Sequence, residues 1–237
     1  MHKSSVEIGE HKKKNRQMFN TIADNYDFLN HTLSGGIDFY WRWRALRKVT
    51  SIENSLILDL ATGTGDLTLS ARRFSPRRII GVDVAIEMIK LGREKLNSRK
   101  FDAQLLAGDA ESLPFCDETY DIVMAAFGVR NFGHIPTGLS EAFRVLRSGG
   151  EVVILDFSEP TLPIVRDLYL LYFRKILPLI GGLVSGEREA YEYLPRSVRD
   201  FPQDGVFLDL MNEAGFSGNC SSKLTFGICS IYVGKKC

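Results

Sequence analysis

The stretch LDLATGTGD, Leu58–Asp66, decides how this chain is read. Apolar residues run straight into a turn of threonines and glycines, and an aspartate closes it. A strand-length apolar run followed by so small a turn brings bare backbone to the start of the next helix. Such a turn belongs at the carboxyl edge of a parallel sheet, where open α/β sheets hold their ligands. Gly63 and Gly65 let a ligand approach where a Cβ would intervene.

Downstream the pattern is regular. LILDLA, RRIIGVDV, AQLLAGD, YDIVMAAF and EVVILDF read as strands, and helical patterns fill the gaps between them. Leu67, Ala71 and Phe74 share one helix face. Ile89, Gly92 and Leu96 share the next. Leu139, Ala142, Phe143 and Leu146 mark a third helix, which Gly149 and Gly150 are expected to end. Strands alternating with helices predict βαβ units and a parallel sheet covered on both faces. SKLTFGICSIYVG reads as two closing antiparallel strands.

Two segments depart from this alternation. Residues 1 to 50 read as a helical, aromatic-rich leader or lid, broken at LSGGID, with Lys12, Lys13 and Lys14 as a solvated helix start. Residues 51–237 then form the main domain, with an insert at about 161–200. In the insert, Arg166, Asp167, Arg174 and Lys175 fall on one half of a helical wheel. Val165, Leu168, Tyr169, Tyr172 and Ile176 fall on the other, the pattern of an amphipathic helix. Phe207, Leu210, Met211 and Ala214 mark a further helix, with Gly215 as its C-cap.

Composition excludes several classes. A chain of 237 residues with 44% hydrophobic and 25% charged residues suits one α/β domain. A net charge of +1 carries no nucleic-acid footprint. Cys116, Cys220, Cys229 and Cys237 lack CxxC spacing, so they read as free thiols and not as a metal site. EIGEHKKKNR has no apolar core and is not a secretory signal. ILPLIGGLVSG is far short of the roughly 18 apolar residues that read as a membrane span. A cytoplasmic protein is expected.

The chemistry of the turn narrows the ligand. Asp83 ends the second strand about 20 residues past the turn, where an acid can accept both ribose hydroxyls. A dinucleotide fingerprint wants G-x-G-x-x-G/A, and here the last position is Thr68. Asp59 and Asp66 put negative charge where a pyrophosphate would lie, which suits a cationic or amine-bearing ligand. S-adenosylmethionine has adenosine, a sulfonium and an ammonium, and no phosphate. Asp59, Asp83 and Asp109 fall at three successive strand ends. Asp109 and Ala110 are expected at the adenine amino group and ring. Met88 reads either as packing beneath the adenine or as simple core.

Two signatures now carry a resemblance. YDFLNHTLSGGIDFYW, Tyr26–Trp41, resembles the pattern Y-D-x-M-N-x-x-L-S-x-x-x-H-x-x-W of the ubiquinone/menaquinone C-methyltransferase family, with Leu29 for the methionine and Asp38 for the histidine. RVLRSGGEVVILDFS, Arg144–Ser158, resembles R-V-L-K-P-G-G-x-x-x-x-L-E-x-S, with Ser148 for the proline and Asp156 for the glutamate. FGVRN, Phe127–Asn131, is a further family stretch. The resemblance implies the class I methyltransferase fold: α/β, Rossmann-like, seven mostly parallel strands with helices on both faces. It implies methylation of a ring carbon on a prenylated quinol. Thr64, Asp83 and Asp109–Ala110 match positions that hold S-adenosylmethionine in the family. Some members also use a serine where this chain has Ala126.

A quinol carbon becomes nucleophilic when a neighbouring hydroxyl loses its proton, so some group must favour the phenolate. Arg130, just past the fourth strand, is the first candidate to stabilise that oxyanion. Tyr26, Asn30 and His31 come from the leader, with His31 a candidate base. Asn131 either orients the substrate or caps a turn. The favoured substrate is demethylmenaquinol. The alternative is the 2-methoxy-6-polyprenyl-1,4-benzoquinol of ubiquinone synthesis. Thr68 argues against a nicotinamide oxidoreductase, and a non-catalytic nucleoside- or lipid-binding module is a further alternative. The insert at 162–184 is expected to take the polyprenyl tail or to touch the inner face of the membrane. A homodimer stays open.

Overall fold

The computed structural model describes residues 5–172 and 188–237. Arg174, Lys175 and Ile176 of the insert lie outside the described residues.

Seven strands form one sheet in the order β3-β2-β1-β4-β5-β7-β6. They are β1 Leu56–Leu60, β2 Arg78–Asp83, β3 Gln104–Ala107, β4 Tyr120–Ala126, β5 Leu146–Phe157, β6 Ser217–Leu224 and β7 Cys229–Lys235. The first five run parallel, and β7 is antiparallel to both β5 and β6. β1 pairs with β2 on one side and β4 on the other. The strand order therefore reverses next to the LDLATGTGD turn, and a crevice opens at such a switch point.

The helices are α1 Ser5–Leu33, α2 Ile37–Leu46, α3 Asp66–Ala71, α4 Ile86–Ser98, α5 Ile135–Val145, α6 Pro163–Leu171, α7 Arg188–Asp200 and α8 Gly205–Glu213. Alternate residues of each strand feed opposite cores, as the two-residue period requires. Leu58, Val123, Ile154 and Tyr232 pack with Leu139 and Ala142 of α5 and with Phe207 and Met211 of α8. Ile57, Ile122, Val153 and Ile231 pack on the other face with Trp41, Ala45 and Leu46 of α2 and with Leu67 and Ala71 of α3. Within the leader, α2 is thus part of the main core. Its Trp41 Nε1 donates to Thr225 Oγ1 over 2.7 Å and fixes it to the far edge of the fold.

Three local expectations shift. α5 ends at Val145 rather than at the glycines, because Leu146 is wholly buried and already pairs with Tyr120. Gly149 and Gly150 lie in the irregularity before the ladder resumes at Ile122 and Glu151. β3 stops at Ala107, so Asp109 stands two residues beyond the strand. On α6, Tyr169 is buried, while Leu162, Ile164, Leu168 and Leu171 are exposed, so its apolar surface is only partly covered.

Candidate active site

The turn after β1 is built around Asp59. One carboxylate oxygen accepts the hydroxyls of Thr62 and Thr68 over 2.7 and 2.6 Å. The residue that breaks the dinucleotide fingerprint is therefore a fully buried donor to the strand acid. Gly63 and Gly65 hold φ of +54° and +81°, and Gly65 caps α3 from that left-handed conformation. A Cβ at Gly63 would meet nothing, so backbone conformation alone calls for glycine there. Behind the turn, Gly92 lets α4 press on it: a Cβ there would come within 2.5 Å of Leu105 and 3.0 Å of the Thr64 carbonyl carbon.

A cleft of about 970 Å³, open mouth included, lies over this turn. Asp59, Gly63, Thr64, Asp83, Asp109 and Ala110 all line it, and Gly65 lies behind, at the cap of α3. Burial raises the Asp59 carboxyl from 3.8 to about 6, and the charge of Asp83 adds to the rise. Its second oxygen, Oδ1, is buried without a hydrogen-bond partner among the described residues. Asp83 accepts the amides of Gly63 and Ala85, each over 2.8 Å, so the turn and α4 both orient it. Burial outweighs those bonds and pushes its carboxyl up as well. Asp109 accepts the Glu111 amide over 2.9 Å. Met88 is core and cleft wall at once.

Helix α1 closes the cleft from above. Lys12, expected in solvent, turns inward to Asp109 at 2.7 Å and Glu111 at 3.0 Å. Burial opposes its charge, but the two carboxylates prevail and raise its pKa. Asn15 donates to the Asn131 carbonyl over 2.9 Å, and Phe19 and Tyr26 add an aromatic wall.

A second cavity of about 760 Å³ adjoins the first and shares Phe19, Tyr26, Arg42 and Phe127 with it. Arg130 lines the second cavity, nearly buried, with its guanidinium 2.7 Å from Asp156 and 5.3 Å from the centre of the Phe157 ring. Its Nη1 also donates to the Phe127 carbonyl, whereas Nε has no partner among the described residues. Burial opposes the charge of Arg130, but Asp156 outweighs that cost and holds it charged. Burial lifts the Tyr26 hydroxyl, against the pull of Arg130, so the phenol stays neutral. Asn131 is a bracket: its side-chain oxygen accepts from Tyr193 of α7 over 2.9 Å while its carbonyl holds Asn15 of α1.

His31 lines neither cavity. Its Nδ1 is 2.7 Å from Asp38, its Nε2 is 3.5 Å from Asp66, and its ring stacks on Phe39. It is one link in a charge network that also joins Arg42 to Asp38 and Asp66. Lys95 continues the network to Asp66 at 2.7 Å and to Asp27, whose other oxygen accepts the Thr64 hydroxyl. Burial raises the carboxyls of Asp38 and Asp66. Ser34 and Arg42 reverse this for Asp38, and Arg42 and Lys95 reverse it for Asp66, so both end below the usual range. Asp27, His31 and Asp66 bring ligand atoms within 4.8 Å of one another, but Lys95 already supplies the cation between the two acids.

A family profile described as the ubiE/COQ5 methyltransferase family matches residues 7–236. The chain belongs to this family. It is 44% identical over 97% of its length to the ubiquinone/menaquinone biosynthesis C-methyltransferase UbiE of Geotalea uraniireducens, covering 99% of that protein. It is 38% identical to the demethylmenaquinone methyltransferase of Bacteroides fragilis, covering 96% of this chain and 94% of the relative. Among solved structures, a SAM-dependent methyltransferase from Thermotoga maritima superposes with a TM-score of 0.65 at 18% identity, over 93% of this chain and all of that one. The fold is that of the class I methyltransferases. As a member of the ubiE/COQ5 family the protein is a methyltransferase that uses S-adenosylmethionine. The first cleft fits that donor: the unpartnered Asp59 oxygen is an acceptor suited to an ammonium and opposes a pyrophosphate, whereas Arg42 and Lys95 already neutralise Asp66.

Several residues of the two cavities escaped the sequence reading. Lys12, Asn15, Arg42 and Tyr193 act across long sequence separations, and no local pattern marks them. Asp156 was visible only as a replacement in the RVLRSGGEVVILDFS motif.

Proposed function

We propose that this protein methylates a ring carbon of demethylmenaquinol to give menaquinol. The observation that carries the reading is the pair of joined cavities. One is a cleft of carboxylates over a glycine turn, and the other holds an aromatic wall and a buried arginine with a free N–H. In this reading Asp59 accepts the donor's ammonium, Asp83 the ribose hydroxyls, and Asp109 and Ala110 meet the adenine. Thr64 and the glycines Gly63 and Gly65 shape the floor. S-adenosylmethionine supplies a methyl group already activated on sulfonium.

What remains for the chain is positioning and charge. Arg130 stabilises the quinolate oxygen through its Nε–H and its charge, which makes the adjacent ring carbon nucleophilic. Tyr26, held neutral, donates to a substrate oxygen from the wall that both cavities share. Asn131 keeps α1 and α7 clasped around the ring, and α1 excludes water as a lid. The polyprenyl tail leaves past Leu194, which lines the second cavity. Peripheral contact with the inner membrane face is part of this reading; no described helix is long and apolar enough to cross a bilayer.

The second reading is the methoxybenzoquinol of ubiquinone synthesis, supported by the dual name of the Geotalea relative. Incubation with S-adenosylmethionine and each reduced quinol, followed by mass analysis, separates the two. Methylation of neither quinol refutes both.

A further inference from the structure

Helix α2 has two faces of opposite character. Asp38, Trp41, Arg42, Ala45 and Leu46 point inward and are buried. On the outer face Phe39 is 53% exposed and Tyr40 44% exposed. Helical spacing sets Phe39 and Trp43 in one column and Tyr40 and Arg44 in the next, and Arg47 and Lys48 follow in the turn that ends the helix. The face starts aromatic and ends cationic. Arg44 lies 5.9 Å over the Tyr40 ring and Arg47 lies 5.2 Å over Trp43. Among the described residues, none of Arg44, Arg47 and Lys48 is paired with a carboxylate, and the chain from Phe39 to Ser51 contains no acid.

The structure assigns this face to an anionic lipid surface. Amphipathic rings with basic residues beside them are the composition of helices that lie in a membrane interface. The basic residues match the phosphates of anionic headgroups. The exposed apolar side of α6 lacks that match, since Arg166 and Asp167 cancel there. Position adds a second argument, which rests on the quinol reading. Asp38 and Arg42, on the inner face of the same helix, line the second cavity. A docked α2 sets that cavity one helix diameter, about 10 Å, from the phase in which a prenylated quinol dissolves.

Co-sedimentation tests this with vesicles of phosphatidylglycerol and phosphatidylcholine against vesicles of phosphatidylcholine alone. The wild-type chain should prefer the anionic vesicles and lose that preference as salt rises. Each cation near an anionic leaflet is worth about fivefold in partition. Joint Arg44→Gln, Arg47→Gln and Lys48→Gln replacement should therefore weaken anionic binding roughly a hundredfold. Matching circular dichroism and methyl transfer to a tail-less, water-soluble quinol would show the triple variant folded. Vesicles with brominated acyl chains should quench Trp43. Leu168→Asp, on α6, should leave partition near the wild-type value. Equal binding by wild type and the triple variant overturns the proposal, and so does binding lost in Leu168→Asp alone. A dimer that the triple variant abolishes, with no vesicle binding by wild type, overturns it in favour of a second copy. If wild type methylates no quinol yet binds vesicles through Arg44, Arg47 and Lys48, the docking surface stands and the quinol reading falls.

Discussion

Replacing Asp59 by asparagine should make the free protein more stable and a poorer binder of its donor. Asp59 is 1% exposed, and its carboxyl is raised from 3.8 to about 6. Each pH unit is worth about 1.4 kcal/mol, so the ionised group costs the fold about 3 kcal/mol at neutral pH. The folded state binds the proton more tightly than the unfolded chain. Stability from this group is therefore fully present below 3.8 and is lost as pH rises through 6. Asparagine reproduces the protonated form, with one oxygen for Thr62 and Thr68 and a donor on the open side. Urea denaturation at pH 8 should show Asp59→Asn ahead of wild type by up to about 3 kcal/mol. The gap should shrink as pH falls through 6 and close near pH 4. Acids such as Asp66 titrate in both proteins and cancel in the difference. Calorimetry with S-adenosylhomocysteine should show binding weaker by roughly 10- to 100-fold, the worth of a hydrogen bond to a charged group. A variant less stable than wild type at pH 8, or a gap that ignores pH, would refute the account of the turn.

Arg130→Lys keeps the charge beside Asp156 but loses the Nε–H. Steady-state assays should show turnover down about a hundredfold with donor affinity unchanged, and equal loss of both would mark Arg130 as structural. Gly92→Ala drives a methyl into Leu105 and the Thr64 backbone. Thermal unfolding should report a loss of about 1–3 kcal/mol, and an unchanged midpoint would mean that the helix yields freely. Lys12→Met releases the Asp109 oxygen that the adenine amine must otherwise win. Donor affinity should rise by up to about fivefold, the worth of a half-exposed ion pair, and weaker binding would show that Lys12 stays as a clamp.

The parallel core was legible because its period is local. Ile57 and Leu58 already point to opposite faces in a run too apolar for an edge strand, and Gly63 and Gly65 can only follow it as a turn. The position of β7 was not legible. Its insertion between β5 and β6 depends on pairing Ser230 with Asp156 across the whole insert, and no short window holds that information. The same reason hid the Lys12–Asp109 pair. The expected helix through Leu146 failed because strand pairing with Tyr120 overrode a periodicity that fits helix and strand alike. His31 read as a base from its place in a motif, but Asp38, in the position of the family's histidine, takes its Nδ1.

The charge network across α1 and α2 has a consequence for synthesis. These helices are made before several of their partners: Asp27 waits for Lys95 and Lys12 for Asp109, while Arg42 has Asp38 on its own helix and gains Asp66 later. Until then the charges of Asp27 and Lys12 face water. A nascent chain stalled before Asp109 should therefore leave α1 open to protease.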